Sequence, residues 1–278
     1  MLLQAAGSLL IAIILYDVFR TVFHAEGRGG PVNRRMNRLI WGIARRVVPA
    51  GHEGALGYGG PILICATLFL WMVVLLGGFA LIYYPVVENF LVSPGSLREH
   101  WLEAIYFSTY TGATLGFGDL IPDSTGMRLL APIQALLGFA LVSVSVTYLL
   151  SVYRGLQLVR SLAGDIHGFL TANDVHGPDD LRHLPAASVE LWARDVDRQL
   201  GSSLEAHFLY PLIHYFRASE ERSALPIQVG RLWGLRDALD ASGPAAVSMR
   251  DNVLQYLETV DQHFVPGGKG EGEPVDPD

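Results

Sequence analysis

The segment of residues 111–119 reads TGATLGFGD and carries two glycines at alternate positions, Gly116 and Gly118. Because glycine readily adopts the positive φ angles that side chains disfavour, alternate glycines allow successive carbonyls to turn the same way. The carbonyls of residues 114–117 and the Thr114 hydroxyl would then replace the hydration shell of a cation. The candidate cation-binding residues are Thr114, Leu115, Gly116, Phe117 and Gly118. A tight turn is the alternative, but a turn would not need the membrane-length apolar runs that flank this segment.

A helix is predicted immediately before this segment. Pro94 and Gly95 break the chain, and Ser96 with Glu99 has the spacing of a capping box, so the helix should run from about Ser96 to about Gly112. A helix C-terminus carries roughly half a negative elementary charge. Its end would therefore favour a cation next to the glycine-containing segment.

The run from Tyr106-Phe107-Ser108 through Thr111 and the glycine-containing segment to Pro122 resembles the pore loop of tetrameric potassium channels. The usual filter of that family reads Thr-Val-Gly-Tyr-Gly-Asp, and Leu115 and Phe117 here replace the Val and the Tyr. The resemblance covers about residues 62–154 and implies K+ as the transported ion and no cofactor. It assigns filter support to Tyr106, Tyr110, Thr111 and Asp119.

Three apolar segments are long enough to cross a bilayer at about 1.5 Å per residue, namely 2–23, 62–84 and 126–153. The predicted fold is therefore an all-α membrane protein with three transmembrane helices, a re-entrant pore helix and filter loop, and a cytosolic α-helical domain. Asp17 and Arg20 lie near the end of the first span, three residues apart, where they could pair. We interpret them as a structural anchor rather than part of an ion pathway, because charges near the interface can snorkel.

The connector of residues 27–60 is rich in arginine, which indicates a cytoplasmic location. Met36, Leu39, Ile40, Ile43 and Val47 recur at helical spacing opposite the arginines, which is typical of a helix in the headgroup plane. A voltage sensor is excluded, since the arginines do not recur every third residue along a separate span. The residues expected to face anionic lipids at the cytoplasmic surface are Arg34, Arg35, Arg38, Arg45 and Arg46.

Placing the connector inside sets the orientation. The second span then exits, the filter loop enters from outside, the third span returns, and the N-terminus lies outside. Lysine occurs once, at Lys269, which suggests a high-GC genome and hence a bacterial inner membrane.

The third span should line the pore. Gly138 lies sixteen residues after Pro122, where members of the resembled family often have a glycine that lets the inner helix bend. The predicted pore-lining residues are Ala135, Phe139, Val142 and Val146, at helical spacing. Ordinary helix packing remains the alternative explanation for this stripe.

The chain becomes acidic after the third span. Residues 155–278 carry a net charge of −9 and residues 1–154 a net charge of +2, which together give −7. Helices are predicted near 156–172, 186–200, 202–218, 226–241 and 245–264. No Gly-x-Gly-x-x-Gly follows a strand, so no nucleotide-binding domain is predicted. His207 and His214 are interpreted chiefly as packed histidines, with a pH sensor and a metal site as alternatives.

The predicted organisation has five parts. They are an N-terminal transmembrane helix (1–26), a basic connector (27–60), a pore module (61–154), a cytosolic helical domain (155–265) and a disordered tail (266–278). One loop supplies a quarter of a four-fold carbonyl ring, so the predicted assembly is a homotetramer. No catalytic set of residues, resident metal or nucleic-acid partner is expected. The predicted function is a potassium-selective channel regulated by its cytosolic domain; the alternatives are a non-selective or sodium-permeable channel and a membrane-anchored scaffold or sensor with a vestigial pore.

Overall fold

We describe a computed structural model of the 278-residue chain over residues 1–23, 30–47, 59–92, 99–210, 212–213, 216 and 220–264. The chain divides into two compact units. The membrane unit comprises Met1–Pro49 and Pro61–Ser151, and the helical unit comprises Ala50–Gly60 and Val152–Asp278. Helices dominate the described residues, as the sequence predicts.

Three helices are long and apolar enough to cross a membrane, which confirms the three predicted spans. They are α1 (Leu2–Val22), α3 (Gly59–Tyr83) and α5 (Thr125–Ala172). Between the first two lies the amphipathic helix α2 (Pro31–Val47), and between the last two lies α4 (His100–Gly112).

Two glycines allow α1 and α3 to approach closely. A Cβ added at Gly7 would lie 2.4 Å from the carbonyl oxygen of Gly78, and a Cβ at Gly78 would lie 2.7 Å from the Ile11 side chain. Small residues at helix–helix contacts are a common means of packing in membranes, where dispersion contacts replace the hydrophobic driving force. The first span is therefore packed directly against the second.

Asp17 and Arg20 do not pair. No ion pair joins them within the described part of the chain, and Asp17 instead accepts hydrogen bonds from backbone N–H groups at the start of α2. The pairing that their spacing would allow is therefore not made, because both carboxylate oxygens of Asp17 accept N–H groups of α2 and of Trp71.

Helix α4 begins later than the sequence predicts. Glu99 has extended backbone angles (φ −101°, ψ 109°), and its carbonyl accepts the N–H of Glu103 at 3.0 Å, so it is the N-cap of a helix that starts at His100. The predicted start at Ser96 is wrong, since a helix cannot continue through an extended residue. Ser96 itself lies outside the described residues. The predicted end at Gly112 is confirmed.

Aromatic side chains fill the space between α3 and α4. The Phe107 ring lies 4.7 Å from the ring of Tyr83, 5.0 Å from that of Phe90 and 5.3 Å from that of Tyr110, in edge-to-face arrangements. Such pairs add to the stability that burial alone provides. Together the rings form a buried support on one side of α4.

A short antiparallel pairing, absent from the sequence-based prediction, joins the loop before α4 to the chain after the filter segment. Strand β1 (Leu91–Val92) pairs with β2 (Leu120–Ile121), with Leu91 opposite Ile121 and Val92 opposite Leu120. Two-residue strands carry little periodic signal, which explains why the sequence did not reveal them.

Helix α5 is continuous for 48 residues, whereas the sequence predicted a span of 126–153 and a separate helix of 156–172. The predicted gap between these two helices lies at residues 154–155. Gly155 lies inside the continuous helix, and a Cβ added there would lie 2.6 Å from Cδ1 of Ile213.

The next helix also continues through a predicted break. Helix α7 (Ala186–Leu209) includes Gly201 and Ser202, and the buried Leu200 and Ser203 on either side keep one face in the core. The predicted pair of helices, 186–200 and 202–218, is therefore wrong. The helix ends where Tyr210 leaves helical angles (φ −126°, ψ 79°), as expected for a residue that precedes a proline.

The remaining helices of the helical unit are short, except the last. The predicted helix of 226–241 is divided into α8 (Leu225–Gly234) and α9 (Arg236–Leu239), and α6 (Pro178–Arg182) was not predicted. Helix α10 (Pro244–Phe264) matches the predicted 245–264. The tail that was predicted to be disordered lies outside the described residues.

His207 packs between α7 and α10. It is buried, its Nδ1 lies 2.8 Å from the carbonyl oxygen of Ser203, and its ring meets that of Tyr256 edge-on at 5.7 Å. Burial lowers the pKa of His207 below its ordinary value. These contacts favour the packed-histidine interpretation, whereas His214 lies outside the described residues.

Candidate functional site

The glycine-containing segment has the alternating backbone that its spacing predicts. Gly116 and Gly118 have φ angles of 57° and 76°. Thr114, two residues before Gly116, also has a positive φ of 59°. A non-glycine residue in this conformation costs of order 1–3 kcal/mol and persists only where its surroundings impose it. Three left-handed residues therefore alternate with Leu115 and Phe117, which is the pattern that turns successive carbonyls to one side.

The last turn of α4 holds the start of this segment. The N–H of Ala113 bonds to the carbonyl of Thr109 at 2.9 Å, that of Leu115 to Tyr110 at 2.8 Å, and that of Thr114 to Thr111 at 3.0 Å. Thr111 is buried, and it contacts the segment through its backbone carbonyl, which accepts the N–H of Thr114. The carbonyls at the end of α4 give this region a partial negative charge.

Two tyrosines of α4 fix the far end of the segment. The Tyr106 hydroxyl donates to Oδ2 of Asp119 at 2.9 Å, and the Tyr110 hydroxyl donates to the carbonyl of Leu120 at 2.8 Å. A hydrogen bond to a carboxylate is stronger than one between neutral groups. The structure thus brings together Tyr106, Tyr110 and Asp119, which the resemblance assigned to filter support.

Phe117 is held by ring contacts in place of a hydroxyl bond. Its ring lies 6.3 Å from the ring of Tyr106, nearly parallel at 9°, and 5.6 Å from the ring of Tyr110. The aromatic side chain that departs from the usual filter sequence therefore still contacts its aromatic support.

A buried polar contact braces α4 from behind, and the sequence analysis missed it. Gln134 of α5 is fully buried and donates from Nε2 to the carbonyl and Oγ of Ser108 at 2.7 and 2.8 Å. The Ser108 hydroxyl in turn donates to the carbonyl of Leu76 on α3 at 2.7 Å. The signal that could have revealed this brace is a glutamine inside an apolar span, where polar groups need internal partners.

Gly138 lies against the end of α4. A Cβ added there would be 2.1 Å from the carbonyl oxygen of Gly112, so the two backbones touch. This close approach explains why a residue without a side chain occupies position 138. The role of Gly138 as a hinge stays a prediction.

The four predicted pore-lining residues lie away from the buried face of α5. That face carries Gln134, Gly138 and Leu141. Ala135 is half-buried, and Phe139, Val142 and Val146 are 66%, 46% and 52% exposed. Their exposure fits a pore, a lipid contact or a contact with another copy, so the pore-lining assignment stays a prediction.

The connector helix α2 presents exposed arginines and exposed apolar residues together. Arg34, Arg35 and Arg38 are exposed, as are Leu39 and Ile43. The side chains of Arg45 and Arg46 lie outside the described ones.

Among the described residues, no cluster of three or more His, Cys, Asp or Glu side chains could hold a metal ion.

A short helix and an alternating glycine segment between two membrane-length helices define the class: a pore-loop ion channel. Comparisons with known proteins agree. A family model described as "Ion channel" matches residues 69–154. A stretch of 65 residues is 35% identical to the potassium channel protein kcv of Paramecium bursaria Chlorella virus 1, covering 22% of this chain and 69% of that protein. The chain therefore belongs to the pore-loop ion channel family and is a membrane protein.

A second relative covers nearly the whole chain. The uncharacterized membrane protein YdjJ of Bacillus subtilis (strain 168) is 27% identical over 292 aligned positions, which span 98% of this chain and 82% of that protein. Its similarity thus extends through the helical unit as well as the pore region. No solved structure matches the chain.

Proposed function

We propose that the protein is a potassium-selective channel that conducts K+ passively through a ring of carbonyls from residues 114–117. The observation that carries this proposal is the alternation of positive φ angles at Thr114, Gly116 and Gly118, directly after the C-terminus of α4. Carbonyls aimed in one direction replace the water around a cation, and the helix end adds partial negative charge.

The working unit in this proposal is a homotetramer. One chain supplies one filter segment, and Leu115 and Phe117 are 59% and 61% exposed in the single chain. Four segments around one axis would cover these side chains and complete the carbonyl ring.

Selectivity for K+ over Na+ in this proposal depends on how firmly the segment is held. Three contacts support a firm filter: Tyr106 on Asp119, Tyr110 on Leu120, and the Phe117 ring against both tyrosines. The missing hydroxyl at Phe117 favours the alternative, a non-selective or sodium-permeable pore.

In the proposed orientation the N-terminus is outside and the helical unit is cytoplasmic, where it regulates the pore. Arg34, Arg35 and Arg38 of α2 would face anionic lipids of the cytoplasmic leaflet, each contributing about 1 kcal/mol of attraction. The whole connector of residues 27–60 has an excess of arginine, and such an excess is typical of cytoplasmic loops.

The test is cation flux into liposomes that contain the purified protein, under a K+ gradient and then a Na+ gradient. Gly116→Ala is the variant, because its φ of 57° is strained for any side chain. Gly126→Ala is the matched control, because a Cβ there meets no atom within 4 Å. K+ flux that is lost only in Gly116→Ala supports the proposal. Equal flux of both ions supports the non-selective pore, and no flux under either gradient supports the scaffold or sensor.

A further inference from the structure

Asp17 is a fully buried carboxylate on a helix long enough to span the membrane. Charged groups in such a position are costly and rarely persist without a role. The filter and its supports, as described above, make no use of this residue. Its contacts therefore call for a separate explanation.

One oxygen of Asp17 caps helix α2. Oδ1 accepts the N–H of Val32 at 2.8 Å and the N–H of Asn33 at 3.4 Å, in the first turn of that helix. Gly30, which precedes the helix, has no side chain with which to cap it, and a Cβ there would lie 2.1 Å from Asp17 Oδ1. Thr21 also connects α1 to the start of α2, since its hydroxyl donates to the Asp17 carbonyl at 2.7 Å and accepts the Gly30 N–H at 2.8 Å.

The other oxygen of Asp17 reaches α3. Oδ2 accepts the indole N–H of Trp71 at 3.1 Å. A second polar contact joins α2 to α3, because the hydroxyl of Thr67 lies 2.9 Å from Oδ1 of Asn33. One carboxylate therefore ties together the end of α1, the start of α2 and the middle of α3.

Trp71 extends this series of contacts to helix α5. It is fully buried, and its ring lies 5.9 Å from the ring of Tyr148 on α5 at an angle of 50°. Tyr148 is buried on the same helix as Gln134 and Gly138, both of which contact α4. A continuous series of contacts thus runs from the start of α2 through Asp17, Trp71 and Tyr148 to α5.

We propose that Asp17 is a positioning residue that locks α2 to Trp71 and, through Trp71 and Tyr148, sets the position of the inner helix and so the open probability of the pore. This inference rests on the proposed channel function. Asp17 does not act on the ion pathway in this proposal, because both of its oxygens are directed at protein N–H donors and none of its surface is exposed.

The test is single-channel recording of the full chain in planar bilayers. Asp17→Asn removes the charge, and Trp71→Phe removes the indole donor while keeping an aromatic ring. Each should shift the open probability by about fivefold or more, the lower end of typical coupling between sites. The K+/Na+ permeability ratio should stay unchanged, and the double variant should shift the open probability by less than the product of the single effects. Tyr16→Phe, an exposed neighbour on α1, is the control and should have no effect.

A second readout does not need flux. A fluorinated tyrosine at position 148, observed by 19F NMR, should change its chemical shift in Asp17→Asn and in Trp71→Phe but not in Tyr16→Phe. If Asp17→Asn fails to fold, Trp71→Phe carries the test alone. Silence of the native chain in bilayers would count against the proposed K+ conduction, and the NMR signal would still test the series of contacts from Asp17 to Tyr148.

Three results would overturn the inference. The first is an open probability within twofold of the native value in both single variants. The second is a changed permeability ratio in Asp17→Asn, which would place Asp17 on the ion path. The third is a shifted open probability with an unmoved Tyr148 signal, which would exclude the route through Trp71.

Discussion

Gly138→Ala separates the two roles that Gly138 could have, close packing and bending. If the residue served only as a flexible point in α5, alanine would stabilise the helix by about 1 kcal/mol, because alanine has the higher helix propensity. The structure predicts the opposite sign. The new Cβ would lie 2.1 Å from the carbonyl oxygen of Gly112, whereas nonbonded carbon atoms sit about 3.5 Å or more from their neighbours.

The magnitude follows from that overlap. The obstructing atom belongs to the backbone, so no side-chain rotation relieves the clash, and overpacking of this kind costs about 1–3 kcal/mol. Once the gain of about 1 kcal/mol in helix propensity is subtracted, the net destabilisation is up to about 2 kcal/mol. Part of the strain should appear as a shift of Gly112, which leads directly into the filter segment, so K+ selectivity should fall as well.

Equilibrium unfolding in mixed micelles with increasing SDS, followed by circular dichroism, measures the stability change. Gly164→Ala is the matched control within the same helix, since a Cβ there meets no atom within 4 Å. It should be neutral or stabilising. A Gly138→Ala protein as stable as the native one, with unchanged selectivity, would refute the packing argument and leave Gly138 as a bending point.

Two further predictions concern single side chains. Tyr106→Phe removes the hydrogen bond that the hydroxyl donates to the Asp119 carboxylate, so the K+/Na+ permeability ratio measured from reversal potentials should fall severalfold. An unchanged ratio would exclude Asp119 as an anchor of the proposed filter. His207 has a lowered pKa because it is buried, so the unfolded chain binds more protons than the folded one below the ordinary histidine value of about 6.5. Stability should therefore fall as the pH drops below that value and stay level above it, and thermal melting of His207→Gln should lose this dependence.

The sequence predicted the centre of the candidate site and the three spans because both depend on local residue type. The spacing of Gly116 and Gly118 indicates alternate positive φ angles, which the structure has. Thr114 shares this conformation, but a β-branched residue gives no signal for it; only its surroundings impose the angle.

The failures concern residues whose roles depend on partners distant in the chain. The predicted helix breaks at residues 154–155 and at Gly201 both fall inside continuous helices, and a Cβ at Gly155 would lie 2.6 Å from the side chain of the distant Ile213. Asp17 caps a helix that begins fourteen residues later, beyond the range of any local capping pattern. The brace between Gln134 and Ser108 likewise joins residues 26 positions apart.

The pairing of β1 with β2 determines which segment could be exchanged between this protein and a related channel. By joining Leu91 to Ile121, it closes residues 92–120 into a cassette whose two ends lie side by side. Helix α4, the proposed filter segment and the tyrosines that contact it all lie inside this cassette, so a chimera that exchanges it as one piece replaces the proposed selectivity element with only two junctions. Residues 91 and 121 are therefore the cut points at which the filter of a relative could be transplanted without rerouting the backbone.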